Sequence, residues 1–213
     1  MDTQTCTPGP RMPLWAWIAV GGPMAFYTIL GIAEGESYYR IPVRFLGIAS
    51  LVFLVLGLAI TPAAKLLARP GLTPWRRWLG LWAFAYAVAH TVVYAFNVHI
   101  WHWSLPRYWR YPYLVYGIIA LLLAIPLAVT SNAASMRKLG FTAWKRLHLL
   151  TYPVIVLTLI HYTLPLYRWN LVAYYWAVTA LLVGWRLVQG LSRPSGRLAK
   201  SWSRRAPAFE RTE

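Results

Sequence analysis

The sequence predicts an all-α membrane protein, a bundle of six transmembrane helices, on two observations. The chain of 213 residues is 59% hydrophobic and only 12% charged, whereas a soluble domain carries about 25% charged residues. The apolar residues also form six runs that lack Lys, Arg, Asp and Glu, and a membrane-spanning helix needs roughly 20 such residues. The runs are residues 12–33, 45–64, 78–106, 111–136, 147–167 and 169–185.

Each run supports one span, and the connections between them are short. The first run has 22 residues; it exceeds the apolar region of a signal peptide and is expected to remain as a span. The third is too long for one span and is expected to end in a loop rich in His and Trp. The sixth extends past Arg186, whose side chain is expected to snorkel to the membrane interface. No internal repeat is evident. These boundaries divide the chain into a tail at 1–11, a transmembrane domain at 12–191 and a basic tail at 192–213.

The distribution of Lys and Arg predicts the orientation, because cytoplasmic loops carry an excess of both. With six spans, the two termini and the second and fourth loops share one side of the membrane. Sixteen of the 21 Lys and Arg lie on that side, and the opposite side holds Arg40, Arg44, Arg107, Arg110 and Arg168. Both termini are therefore expected in the cytoplasm, with the basic C-terminal tail lying against the lipid bilayer.

Composition also excludes several functions. The net charge of +16 comes from cations that flank spans, so no nucleic-acid partner is expected. Cys6 is the only cysteine, which excludes an intrachain disulfide and a covalently attached haem. No Asp, Glu or Lys lies deep within a span, and ion-coupled transport usually needs such a residue.

Two histidines within the spans are the strongest functional candidates, because an imidazole in hydrocarbon needs a partner. His90 lies thirteen residues beyond Arg77, and His161 lies thirteen beyond His148. At 1.5 Å per residue, His90 and His161 both lie about 20 Å from the cytoplasmic side. Two neutral imidazoles that face each other across a bundle suit the axial positions of a b-type haem. The alternative is that each forms a hydrogen bond with a neighbouring helix.

The other histidines are less clear candidates. His99 and His102, at the outer end of the third span, are expected to be interfacial. On a straight helix, a spacing of thirteen residues turns His148 about 140° away from His161, so the two would not face the same neighbour. Pro153 lies between them and is expected to kink the helix.

Several stretches resemble one known family. They are LAITPAAKLL at 58–67, RRWLGLWAFAYAVAH at 76–90, YPYLVYGII at 111–119, and MRKLGFTAWKRLHLLTY at 136–152 followed by HY at 161–162. In order and spacing they are similar to the haem-binding membrane subunits of bacterial periplasmic methionine-sulfoxide reductase systems, within the ferric-reductase-like transmembrane family.

The resemblance implies a role in electron transport. Members carry electrons outward across the bacterial cytoplasmic (inner) membrane through haem b, with FMN also associated, and deliver them to a periplasmic molybdopterin-containing catalytic subunit that repairs methionine sulfoxide. The chain would be an electron-transfer subunit of an oxidoreductase without its own catalytic residues. Residues 192–213 are too few for a flavin or nicotinamide domain, so the expected donor is a separate cytoplasmic flavin reductase or quinol.

The resemblance also implies site residues. Related ferric reductases hold two stacked haems with two histidines on the third span and two on the fifth. His90 and His161 match the outer pair, and His148 matches one member of the inner pair, whose partner position is occupied by Arg76. His148 is thus a candidate for a second haem or for the flavin side. The neighbouring cations could hold a haem propionate or a flavin phosphate, or only mark the cytoplasmic side; they are Arg76, Arg77, Lys145 and Arg146.

Two other functions stay open. One is a stand-alone ferric or other metal reductase that acts at its own outer haem. The other is a membrane anchor or assembly protein without redox chemistry, whose histidines only link helices.

Overall fold

The computed structural model describes residues 13–33, 39–98, 110–165 and 169–191, and it forms α-helices and turns without a β-strand in those ranges. Two 3₁₀ turns, Pro70–Leu72 and His148–Leu150, precede α3 and α7 respectively. The α-helices of the described residues are α1 (Leu14–Ala33), α2 (Arg40–Leu66), α3 (Trp75–Val98), α4 (Pro112–Val129), α5 (Ala133–Leu139), α6 (Phe141–Leu147), α7 (Thr151–Thr163) and α8 (Trp169–Leu191).

Four segments of the described chain are long and apolar enough to cross a membrane: α1, α2, α3 with its preceding turn, and α4. They match the first four predicted spans, which confirms the all-helical membrane class. The fifth predicted span corresponds to the 13 residues of α7 and the turn before it, and the sixth corresponds to α8. Both tails and the loop rich in His and Trp after α3 lie outside the described residues.

The fifth predicted span contains a 3₁₀ turn close to Pro153, where a kink was expected. α6 ends at Leu147, His148–Leu150 form a 3₁₀ turn, and α7 begins at Thr151. Pro153 lies in the first turn of α7, where a missing N–H is tolerated. Pro153 has no N–H, so in a continuous α-helix the carbonyl of Leu149 would have no hydrogen-bond partner. The change from 3₁₀ turn to α-helix occurs at this point.

The helices pack as two pairs with a cavity between them. α2 packs along α3, and α4 packs along α7, while α1 covers the first pair and α8 contacts α2 and α7. Leu46, Trp82, Tyr86 and Val93 form the buried cluster of the first pair. A second buried cluster joins the two pairs, because Leu51 and Leu58 of α2 meet Ile155 and Leu159 of α7.

Polar side chains fasten the first pair and α1 to each other. Ser50 donates from Oγ to the carbonyl of Ala83 at 2.8 Å, and Tyr86 donates to the carbonyl of Val20 at 2.7 Å. Asn97, buried in α3, donates from Nδ2 to the carbonyl of Gly31 at 2.7 Å. Interhelical hydrogen bonds of this kind satisfy polar groups that lipid cannot, so the wall that carries His90 is held from two sides.

Arg186 corrects the expectation that its side chain snorkels to the interface. Its Nη2 donates to the carbonyl of Leu58 at 2.6 Å and to Oγ1 of Thr61 at 3.2 Å. Pro62 has no N–H for the carbonyl of Leu58, so this carbonyl lacks its helical partner and a guanidinium supplies one instead. Arg186 therefore turns into the bundle and ties α8 to α2.

Candidate functional site

A cavity of about 960 Å³ lies between the two helix pairs. This volume is at the upper end of the range of about 300–1,000 Å³ that is typical of ligand and cofactor sites. Arg40 and Arg44 line it near the start of α2, whereas Arg76 and Lys145 line it at the opposite end. The cavity thus runs along the helices with cations at both ends and apolar walls between them.

His90 lines this cavity from α3, and its position is fixed by α2. Nδ1 of His90 lies 2.8 Å from the carbonyl oxygen of Val43. A carbonyl only accepts, so Nδ1 carries the proton, and in a neutral imidazole the lone pair is then on Nε2. This hydrogen bond to a neighbouring helix is the alternative that the sequence analysis gave for His90, and it uses only one of the two ring nitrogens.

His161 is held in the same way from the second pair. Nδ1 of His161 lies 2.6 Å from the carbonyl oxygen of Tyr113, in the first turn of α4. Its tautomer is therefore the same as that of His90, with the lone pair on Nε2. The ring centroids of His90 and His161 are 6.0 Å apart, and the ring planes cross at 86°. The structure thus brings together the two residues that the sequence analysis paired.

This geometry fits a haem iron between the two rings. Metal–imidazole bonds in proteins are about 2.0–2.1 Å long, so a metal bound by two opposed imidazoles places their ring centroids roughly 6 Å apart. A metal ion held by protein ligands alone would need a cluster of three or more His, Cys, Asp or Glu, and the described residues contain no such cluster. A haem requires only axial ligands from the protein, because the porphyrin supplies the rest.

His148 is not brought next to that pair. Its Nε2 lies 3.2 Å from Oγ1 of Thr130, and its ring lies against Trp144 with centroids 4.1 Å apart. The hydroxyl of Thr130 donates to the carbonyl of Pro126 at 2.6 Å, so it accepts from the imidazole, and Nε2 of a neutral His148 carries the proton. The inner position is therefore built differently from the outer one.

Both histidines of the fifth predicted span nevertheless contact α4. His161 bonds to Tyr113 at its start, and His148 bonds to Thr130 just after its end. A straight helix would have turned them toward different neighbours; the 3₁₀ turn at His148–Leu150 removes that restriction because it changes the rotation between the two residues.

The end of the cavity at Arg76 and Lys145, called the inner end from here on, is strongly basic. Arg76, Arg77, Lys145 and Arg186 line it, whereas Arg146 is exposed and is not among the residues that line it. The like charges of Arg76 and Arg186 lie close enough to repel each other. None of the five acidic residues of the chain falls in the described ranges. The sequence analysis missed Arg186 as a cavity residue, although an arginine within the apolar last helix was the available signal.

Several predicted features fall outside the described residues. These are His99 and His102 in the loop rich in His and Trp, and Arg107 and Arg168 of the cations expected on the opposite side. Arg110, also expected on that side, is described, and it is exposed.

Comparison with known proteins gives a consistent result. Residues 44–159 match the family described as ferric reductase like transmembrane component. The chain is 36% identical over 183 residues to the protein-methionine-sulfoxide reductase heme-binding subunit MsrQ of Caulobacter vibrioides, covering 82% of this chain and 85% of that protein. It is 37% identical over 167 residues to the protein of the same name from Azospira oryzae, covering 76% and 70%.

A third relative is a longer protein. The chain is 32% identical over 178 residues to the magnetosome protein MamZ of Magnetospirillum gryphiswaldense, covering 76% of this chain but only 27% of that protein. A related segment thus also occurs within a larger chain.

Proposed function

The chain belongs to the ferric-reductase-like transmembrane family, and we propose that it is the haem-binding membrane subunit of a bacterial protein-methionine-sulfoxide reductase system. Support comes from the MsrQ subunits named above, which align with most of this chain and over most of their own length. Reduction of methionine sulfoxide consumes two electrons and two protons and releases water. That chemistry belongs to a periplasmic molybdopterin-containing partner, and this chain supplies the electrons.

The relationship between His90 and His161 carries the proposal. Their ring centroids lie 6.0 Å apart, and a backbone carbonyl accepts a hydrogen bond from the Nδ1 of each. The lone pair of each neutral ring is thus on Nε2, the atom through which each histidine would bind the iron. Haem b bound there supplies one-electron chemistry. His90 and His161 would hold the iron, and the apolar walls of the cavity would exclude water from it.

Charge and depth support a direction of electron flow. The chain spans the inner membrane six times with both termini in the cytoplasm, in keeping with the 16 of 21 Lys and Arg on that side. His90 and His161 then lie toward the periplasmic face. The donor, a cytoplasmic flavin reductase or quinol, acts near Arg76 and Lys145, and the partner docks at the opposite face.

The inner half of the cavity binds an anionic group. The four cations that line it have no acidic partner among the described residues, and an arginine guanidinium binds carboxylates and phosphates well. The group is either the phosphate of FMN or the propionates of a second haem, for which His148 is the candidate ligand. Since His148 donates from Nε2 to Thr130, ligation through that atom requires the hydrogen bond to break.

One experiment tests the main proposal. The intact protein is purified in detergent, and its visible spectrum is recorded in the oxidised and reduced states. The spectrum of a low-spin b-type haem, about one or two per chain, is expected. A protein without haem would refute the proposal and leave the membrane anchor without redox chemistry as the better account.

The family description favours one second candidate, a stand-alone metal reductase. The two functions differ in their acceptor. Rapid reduction of ferric chelates by the purified haem protein without any partner would support this alternative, whereas reoxidation only by the periplasmic subunit would exclude it.

A further inference from the structure

Each of the two paired histidines, His90 and His161, lies directly against a glycine of the neighbouring helix. A Cβ atom on Gly47 would lie 3.0 Å from Nδ1 and 3.1 Å from Cε1 of His90. A Cβ atom on Gly117 would lie 2.7 Å from Nδ1 and 2.9 Å from Cε1 of His161. Ordinary contacts are longer than about 3.4 Å, so even a methyl group does not fit at either position without moving the ring.

The glycines have a specific geometric relation to the accepting carbonyls. Val43 precedes Gly47 by four residues, and Tyr113 precedes Gly117 by four residues. In an α-helix each Cα–Cβ bond tilts toward the N-terminus, so the side chain of a residue covers the turn before it. A side chain at position i+4 would therefore cover the carbonyl at position i on that side. Glycine leaves that carbonyl accessible to a ring from the neighbouring helix, and its second lone pair accepts the additional hydrogen bond.

This arrangement occurs twice in the chain with the same sequence pattern. Residues 42–51 and 112–121 both read Pro-x4-Gly-Ile-x2-Leu, and the accepting carbonyl belongs to the residue after the proline. The histidine follows the accepting residue by 47 positions in the first pair and 48 in the second. The shared pattern is short, and the two hydrogen bonds are what align it.

We propose that Gly47 and Gly117 are positioning residues that hold His90 and His161 as iron ligands through Nε2. Each glycine opens a backbone carbonyl to Nδ1–H, and this hydrogen bond sets the tautomer and orientation of the ring and increases its basicity. The inference rests on the proposed haem-binding function, and it adds a requirement at two positions that themselves contact no iron.

The test compares Gly47→Ala and Gly117→Ala with Gly22→Ala and Gly184→Ala in the intact protein. The last two are matched controls on α1 and α8, where an added Cβ meets nothing within 4 Å. Haem affinity, midpoint potential and the fraction of high-spin haem that binds carbon monoxide are measured. We expect about a 10–100-fold loss of haem affinity at positions 47 and 117, with the larger loss in Gly117→Ala. The haem that remains bound should have a higher midpoint potential, because a less basic imidazole stabilises ferric iron less.

Two outcomes would overturn the inference while leaving the proposed function intact. One is a wild-type protein with low-spin haem whose Gly47→Ala and Gly117→Ala variants match the controls in affinity, potential and spin state. The other comes from pulsed EPR of the oxidised wild-type protein labelled with ¹⁵N-histidine, which needs no variant to fold. We expect an exchangeable proton on Nδ1 of both ligands, and iron bound through Nδ1 of either would contradict the proposal. A wild-type protein without haem would instead refute the function itself.

Discussion

Arg186 donates a hydrogen bond from Nη2 to the carbonyl of Leu58 at 2.6 Å, across the boundary between α8 and α2. The carbonyl needs this donor because Pro62, four residues later, has no N–H. A charged side chain therefore enters the bundle to complete the backbone hydrogen bonding of another helix, and it brings a cation to the wall of the cavity.

The first prediction concerns this pair of residues. Arg186→Gln should destabilise the protein, with a contribution of about 1.5–3 kcal/mol from loss of a charged hydrogen-bond donor. In a Pro62→Ala background the loss should be smaller, because the alanine would supply the missing N–H. Thermal unfolding of the four proteins of this double-mutant cycle in detergent measures the coupling free energy between Arg186 and Pro62. For interhelical hydrogen bonds in a membrane protein such coupling energies average about 0.6 kcal/mol. Additive effects would show that Arg186 does not replace the proline's missing donor.

The second prediction concerns the axial histidines. His90→Ala and His161→Ala should each abolish or severely reduce the low-spin haem, because each removes one of two ligands to the same iron. Arg76→Ala should retain that haem, since Arg76 lies at the other end of the cavity. The reduced visible spectrum, normalised to protein, checks all three variants. Full haem retention in either histidine variant would exclude the axial assignment.

The third prediction concerns the inner histidine. His148→Ala should keep the outer haem but slow its reduction from the cytoplasmic side, because His148 lines the same end of the cavity as Arg76. Thr130→Val removes the acceptor of His148 Nε2–H, together with the hydrogen bond of that hydroxyl to Pro126, but it keeps the imidazole, so it separates the orientation of the ring from its presence. Stopped-flow reduction measures the rate. A reduction rate equal to that of the wild type in both variants would show that His148 has only a structural role.

The fourth prediction concerns the anionic group at the inner end. Arg76→Gln and Lys145→Gln should each lower the amount of one bound cofactor, whereas Arg146→Gln, which changes an exposed residue outside the cavity lining, should not. Flavin and haem extracted from the purified proteins are quantified separately. Loss of FMN alone identifies a phosphate at this end, and loss of half the haem identifies propionates. Unchanged contents of both in every variant would argue against an anion-binding role.

The fifth prediction concerns the direction of flow. In oriented vesicles, replacing both Arg76 and Arg77 with Gln should slow reduction of the haem by a cytoplasmic donor, by roughly tenfold or more at low salt if the arginines steer an acidic donor. The effect should weaken at physiological ionic strength, where charges are screened over about 8 Å. Reoxidation by the partner at the periplasmic face should not change. Reduction of the haem only from the periplasmic face, at a rate that depends on neither arginine, would show that the proposed direction of electron flow is wrong.

Much of the site followed from local sequence. Apolar runs predict helices because lipid leaves the backbone no other hydrogen-bonding partners, and the rise of a helix converts residue number into depth. These two rules placed His90 and His161 at one level, and the structure places their rings 6.0 Å apart. The predicted pairing required no knowledge of which helices touch.

The remainder depended on which helix faces meet, and a repeating apolar pattern does not contain that information. Arg186 was expected at the membrane interface. Its side chain instead enters the bundle and donates to the carbonyl of Leu58, which has no helical donor because Pro62 lacks an N–H. His148 and His161 reach opposite ends of α4 only because the helix between them changes type at a 3₁₀ turn. Gly47 and Gly117 acquire their role from a ring that lies more than 40 residues away in the chain. Such contacts arise from packing between distant segments, so only the tertiary structure decides them.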